Sequence, residues 1–112
     1  MVRIDTGTCG ALYFHQMTFT ETGDVVPTHA HTYDHMMQIV TGTVRIWTAD
    51  GASEVITGPA MKLIPKGIAH DVEAVTPALV CCIHQMRDEA GREYPFAYQR
   101  TNREVMDATG RM

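Results

Sequence analysis

Along most of this chain, short apolar segments alternate with turns that carry Gly or Pro, and within several segments every second residue is apolar. Tyr13, His15, Met17 and Phe19 share one parity, while Leu12 and Phe14 share the other. A period of two belongs to the β-strand, whose successive side chains point to opposite faces. No segment before residue 88 sustains a helical period. The pattern predicts strands over Ala11–Phe19, Val25–Thr28, Asp34–Val40, Thr43–Thr48, Glu54–Thr57, Met61–Ile64, Ala69–Val75 and Leu79–Met86. Between them stand turn signals such as Glu21-Thr22-Gly23-Asp24, Thr41-Gly42, Asp50-Gly51 and Lys66-Gly67. Asp50-Gly51, set between Val44–Trp47 and Glu54–Ile56, is the clearest hairpin. Many short strands with such punctuation read as an all-β sandwich or barrel. Beyond Arg87 the text turns polar; Arg92–Phe96 is the expected last strand, and an unstructured tail is expected after Arg100. The first strand is greasy on both faces, the pattern of a strand between layers or in a subunit interface. A homodimer is the expected assembly.

Length and composition narrow this picture. The chain has 112 residues, of which 45% are hydrophobic, enough for one core. A single domain over 1–112 is expected, with a barrel core at about 11–86 and a C-terminal extension over 87–112. A formal net charge of −4 argues against a general nucleic-acid binder, whose footprint is basic. No apolar run approaches the roughly 18 residues of a membrane-spanning helix, so no membrane association is expected. Met1–Asp5 offers no export signal. Three cysteines, two of them adjacent at Cys81 and Cys82, cannot all pair within a chain, which points to a reducing, cytoplasmic setting.

Chemistry concentrates in histidine. Of six histidines, His29, His31 and His35 fall in one short run, and His70 follows a Pro65-Lys66-Gly67 turn. Residues two or four apart on a strand share a face, so one extended stretch can present the first three to a common centre. Imidazole is the commonest protein metal ligand, and His70 from a distant strand can complete the shell. The surrounding glycines carry a further pattern. Gly23, His29-x-His31, His35 and Gly42 match the spacing of the first cupin motif, with His35 where a glutamate is usual. Gly58, then Pro65-x-Gly67-x-x-His70, resembles the second cupin motif in a form one residue longer than the commonest; Ala74 stands where an asparagine is frequent. The resemblance covers roughly residues 11–86. It implies a cupin double-stranded β-helix, a jelly-roll barrel with a metal at its mouth, and looks like the minority of single-domain cupins with four histidine ligands.

Four neutral imidazoles leave a divalent ion its full charge, whereas a glutamate would remove one unit. In a low-dielectric pocket that difference favours an anionic, bidentate ligand such as an enolate, a β-dicarbonyl or an α-keto acid. An all-nitrogen shell disfavours Mg and Ca and leaves one divalent transition ion per chain: Mn, Fe, Ni, Cu, Co or Zn. Tyr33 and Met37 share parity with the ligands and are candidate pocket residues, as is His84 on the last barrel strand; His15 on the first strand is a further candidate. Cys82 shares the parity of His84. Ser53 is the only serine and Lys62 and Lys66 the only lysines, so a serine triad or a Schiff-base lysine has little support. The leading expectation is a dioxygenase-like metalloenzyme acting on an oxygen-rich, enolisable or anionic small molecule. Two alternatives stay open: an isomerase or cyclase using the ion as Lewis acid, and a non-catalytic module that binds a metal or small ligand.

Overall fold

The computed structural model describes residues 1–29, 34–49, 51–85 and 96–106, with the side chains of 27–29 and 96–106 left aside. All described secondary structure is β: β1 (Val2–Gly10), β2 (Leu12–Phe19), β3 (Val25–His29), β4 (His35–Thr41), β5 (Thr43–Thr48), β6 (Ser53–Thr57), β7 (Ala60–Ile64), β8 (His70–Ala74), β9 (Ala78–Gln85) and β10 (Phe96–Met106). They form a six-stranded sheet in the order β10-β1-β2-β9-β4-β7 and a four-stranded sheet in the order β3-β8-β5-β6, every pairing antiparallel. This is the all-β class that the pattern predicts and the jelly roll that the cupin resemblance implies, and β2 to β9 begin and end within two residues of the expected strands.

Period-two alternation builds the core. The wider sheet turns Val2, Ile4, Met17, Phe19, Val80 and Ile39 inward, and the narrower sheet turns Val26, Val44, Ile46, Val72 and Ala74 to meet them, all in one buried cluster. Burial of such side chains is the main term holding the sheets together, at about 1.5–3 kcal/mol for each large one. Turns set the register. Gly42 has φ +83° between β4 and β5, and a Cβ there would fall on the Pro77 carbonyl, so only glycine fits.

Two strands lie beyond the expected barrel. β1 pairs with β2 along its length, from Val2 opposite Phe19 to Cys9 opposite Leu12, and sends Val2 and Ile4 into the core. β10 then pairs with β1 from Phe96 to Met106, so the unstructured tail expected after Arg100 is in fact strand as far as Met106. Its sequence is polar, which suits a strand with one sheet edge open to water. Of the expected strand Arg92–Phe96, residues 92–95 lie outside the described residues. The described residues contain no helix long and apolar enough to cross a membrane.

Candidate metal centre

His35 opens β4, where His35, Met37 and Ile39 are buried while Met36 between them is 40% exposed. His70 opens β8, where His70, Val72 and Ala74 point inward and the intervening Asp71 and Glu73 lie on the other face, half-buried. The two histidines therefore face each other from different sheets. Their ring centroids are 5.4 Å apart, tilted by 37°, and both residues are at most 3% exposed. The turn before β8 helps bring them together. Gly67 takes φ +76°, and the Lys66 amide donates to the Asp34 carboxylate at 2.8 Å, tying that turn to the residue just before His35.

The tautomer of His70 follows from its neighbour. The Ile68 carbonyl lies 3.0 Å from Nδ1 and can only accept, so Nδ1 carries the proton and the neutral ring keeps its lone pair on Nε2. A backbone carbonyl on the far nitrogen is the usual outer support of a metal-binding imidazole. His29 reaches the same level from a third strand: its Cα stands opposite His70 across β3 and β8. Val26 stands opposite Val72, so three residues of β3 span two of β8, and this bulge sets His29 in register with His70.

The single extended stretch expected to carry His29, His31 and His35 is thus corrected. His29 ends a strand of the narrower sheet and His35 begins one of the wider sheet, because the chain crosses between sheets inside the motif. His31 and Tyr33 lie outside the described residues, as does the side chain of His29. Among the described residues no group of three His, Cys, Asp or Glu side chains converges on one point. His35 and His70 do come together, and the pair fits an ion. With nitrogen about 2.1 Å from a metal, two rings sharing it have centroids roughly 5 Å apart, close to the observed separation.

The pocket candidates divide. Met37 is fully buried two residues beyond His35, paired across the sheet with Cys82. Burial, with the neighbouring Cys81, pushes the Cys82 thiol up to about 12, so it behaves as a small apolar group. His84 is half-buried on β9, and burial holds its imidazole below the ordinary value against the opposing effect of a hydrogen bond from Nδ1 to the Gln85 carbonyl at 3.0 Å. Because Met36 pairs with Ile83 on antiparallel strands, His84 lies level with His35. Tyr13, on the same strand face as His15, packs on His84 with centroids 4.9 Å apart and on His15 at 6.5 Å. Thr8 stands opposite Tyr13 and Thr6 opposite His15. The inner face of the wider sheet is therefore polar at the end shared with His35 and apolar at the other.

No protein-family model and no curated protein matches the chain. Solved structures do match. A protein from Neisseria meningitidis, NMB1881, is 20% identical over 74% of this chain and 82% of its own, with a TM-score of 0.65. A cupin-2 domain protein from Shewanella frigidimarina is 20% identical over 70% of this chain and 74% of its own, at TM-score 0.60. An RmlC-like cupin from Methanocaldococcus jannaschii, described as a double-stranded β-helix, is only 8% identical over 76% of this chain and 80% of its own, yet superposes at TM-score 0.68. At such identities the likeness is one of fold, and the fold is the cupin double-stranded β-helix.

Proposed function

We propose that this chain is a metal-binding cupin, a small metalloenzyme of dioxygenase type that acts on an oxygen-rich, enolisable or anionic small molecule. One observation carries the reading: two buried imidazoles from opposing sheets, His35 and His70, lie at a separation suited to a shared ion, with His29 in register beside them. His29, His31, His35 and His70 are the proposed ligands of one divalent transition ion. Such an ion, when bound, supplies positive charge that holds a chelating anion and, if redox-active, a site for dioxygen chemistry. The chain's own residues supply the rest. Met37 and Cys82 form an apolar wall beside the ligands, which keeps water out and strengthens electrostatic attraction inside. His84, with Nδ1 committed to the Gln85 carbonyl, presents Nε2 as a neutral base for a substrate proton.

Element analysis of protein purified without a histidine tag or added metal tests the centre. About one transition ion per chain is expected in the wild type and less than a tenth of that in His70→Ala or His31→Ala. Equal metal content in all three would refute it. Oxygen uptake with a panel of diketones, catechols and keto acids, with His70→Ala as the blank, tests the dioxygenase reading.

We further infer that the substrate-binding unit is a homodimer joined through the outer face of the wider sheet. There Leu63, Met36, Ile83 and Phe14 line up across β7, β4, β9 and β2, and the first, second and fourth are 65%, 40% and 38% exposed.

A further inference from the structure

Thr8 is a polar residue in a place built for an apolar one. It follows Val2, Ile4 and Thr6 along the inward line of β1, is 8% exposed, and its hydroxyl finds no hydrogen-bond partner among the described residues. A hydroxyl buried without a partner costs stability, and a valine of the same shape would fill the space without that cost. Thr8 does not stand alone. Tyr13 faces it across β1 and β2, and His84 faces Tyr13 across β2 and β9. Both are half-buried, whereas Met17 and Phe19, farther along the same inward line of β2, are only 1% exposed. The inner face is thus half-open at Tyr13 and His84 and, one row further in, at His15, and closed from Met17 onward, while the Thr8 hydroxyl itself is covered. The row ends level with His35, three strand spacings from Thr8, or about 14 Å measured along the sheet.

We propose that Thr8, with Tyr13 and His84, forms a subsite for the far end of an elongated substrate whose chelating head lies at His35 and His70. The inference rests on the proposed function and adds to it the substrate's length and its second polar group. The hydroxyls of Thr8 and Tyr13 can each donate and accept, so they match a terminal hydroxyl or carboxylate and leave a terminal methyl without a bond. An unmet hydroxyl at the end of such a row is a preorganised contact that the ligand completes, and sites of this kind reject an analogue lacking the partner group. The pairing with β10 slips beside it: the two steps from Thr8 to Gly10 in β1 span four in β10, from Arg100 to Phe96.

Three probes long enough for that row separate the possibilities: α-ketodecanoate, its ω-hydroxy derivative and α-ketosebacate share a chelating head and chain length and differ only at the far end. Calorimetric titration into metal-loaded wild type should show the hydroxy acid or the diacid binding about tenfold tighter than the plain acid. In Thr8→Val that preference should fall to less than twofold, with metal content unchanged and Tm raised by a few degrees as the buried hydroxyl is removed. Thr8→Ser should keep the preference. A preference retained in Thr8→Val, a wild type that does not discriminate, or a lowered Tm in Thr8→Val would overturn the subsite. Loss of metal in the wild type, or binding of none of the three acids to a protein holding one ion per chain, would instead sink the proposed function and the subsite with it.

Discussion

Asp24 is 1% exposed, and its carboxylate accepts from the Met1 ammonium at 2.6 Å and the Glu21 amide at 3.1 Å. Burial pushes this carboxyl up, but the ammonium and the backbone amides outweigh it and leave the group below the usual carboxylate range. A folded-state value below the unfolded one means that the unfolded chain binds the proton first as pH falls. The stabilisation is complete above the unfolded value of about 4 and is lost as pH drops through the lower folded value. Asp24→Asn should therefore unfold more easily at pH 7, by about 1–2 kcal/mol given its partly exposed ammonium partner, and show a shallower loss between pH 5 and 2. Parallel acid-unfolding curves for the two proteins would disprove this. Single residues were unevenly legible in the sequence. The buried His35 and His70 could be picked out by spacing, because both stand at motif positions flanked by turn glycines. The Ile68 carbonyl that fixes the His70 tautomer could not, since a backbone oxygen carries no side-chain signal.

Strands gave a clear signal wherever one face is buried. The β4 and β8 patterns follow the apolar alternation of their sequences, and three of the four motif glycines fall at turns with positive φ: Gly23 at +91°, Gly42 at +83° and Gly67 at +76°. Gly42→Ala should cost at least about 1–2 kcal/mol from the left-handed backbone alone, and more because its Cβ meets the Pro77 carbonyl. A lower urea midpoint at unchanged slope would report that loss, and an unchanged midpoint would count against it. β1 escaped notice because Thr6, Gly7, Thr8 and Gly10 dilute the alternation begun by Val2 and Ile4. β10 escaped because it is polar throughout its middle, and its pairing with β1 is a contact far along the chain. The bulge in β3 is equally silent, yet it alone places His29 opposite His70.

Across the whole molecule, the outward positions of β2, β9, β4 and β7 bear no charged residue, although the chain carries a net charge of −4. A neutral face lets two like-charged copies approach without repulsion at the contact, and Gln16 and Gln38 on it can each donate and accept toward a copy of themselves. Those four strands, about 4.8 Å apart and up to roughly 26 Å long, give a neutral face of at most about 500 Å², the scale of the exposed patches that mark contact surfaces. Leu12, Met61 and Leu63, each at least half exposed on it, are apolar area of the kind that marks a contact surface. Replacing Phe14 and Leu63 with lysine should halve the mass seen by sedimentation and leave metal content unchanged. A wild type of monomeric mass, or a double variant of unchanged mass, would refute the interface.

Local patterning was enough to settle the β class, most strand positions and the residue types of the candidate centre, because alternation, turn glycines and imidazole clusters depend on neighbours a few positions apart. The pairing of sheets was not written locally. Which sheet takes His29 and which takes His35, why Tyr13 lies on His84, and why the Thr8 hydroxyl ends up buried all depend on strands brought side by side from distant parts of the chain. Those placements follow from burying two apolar faces against each other, an energy that belongs to the assembled barrel and to no single segment.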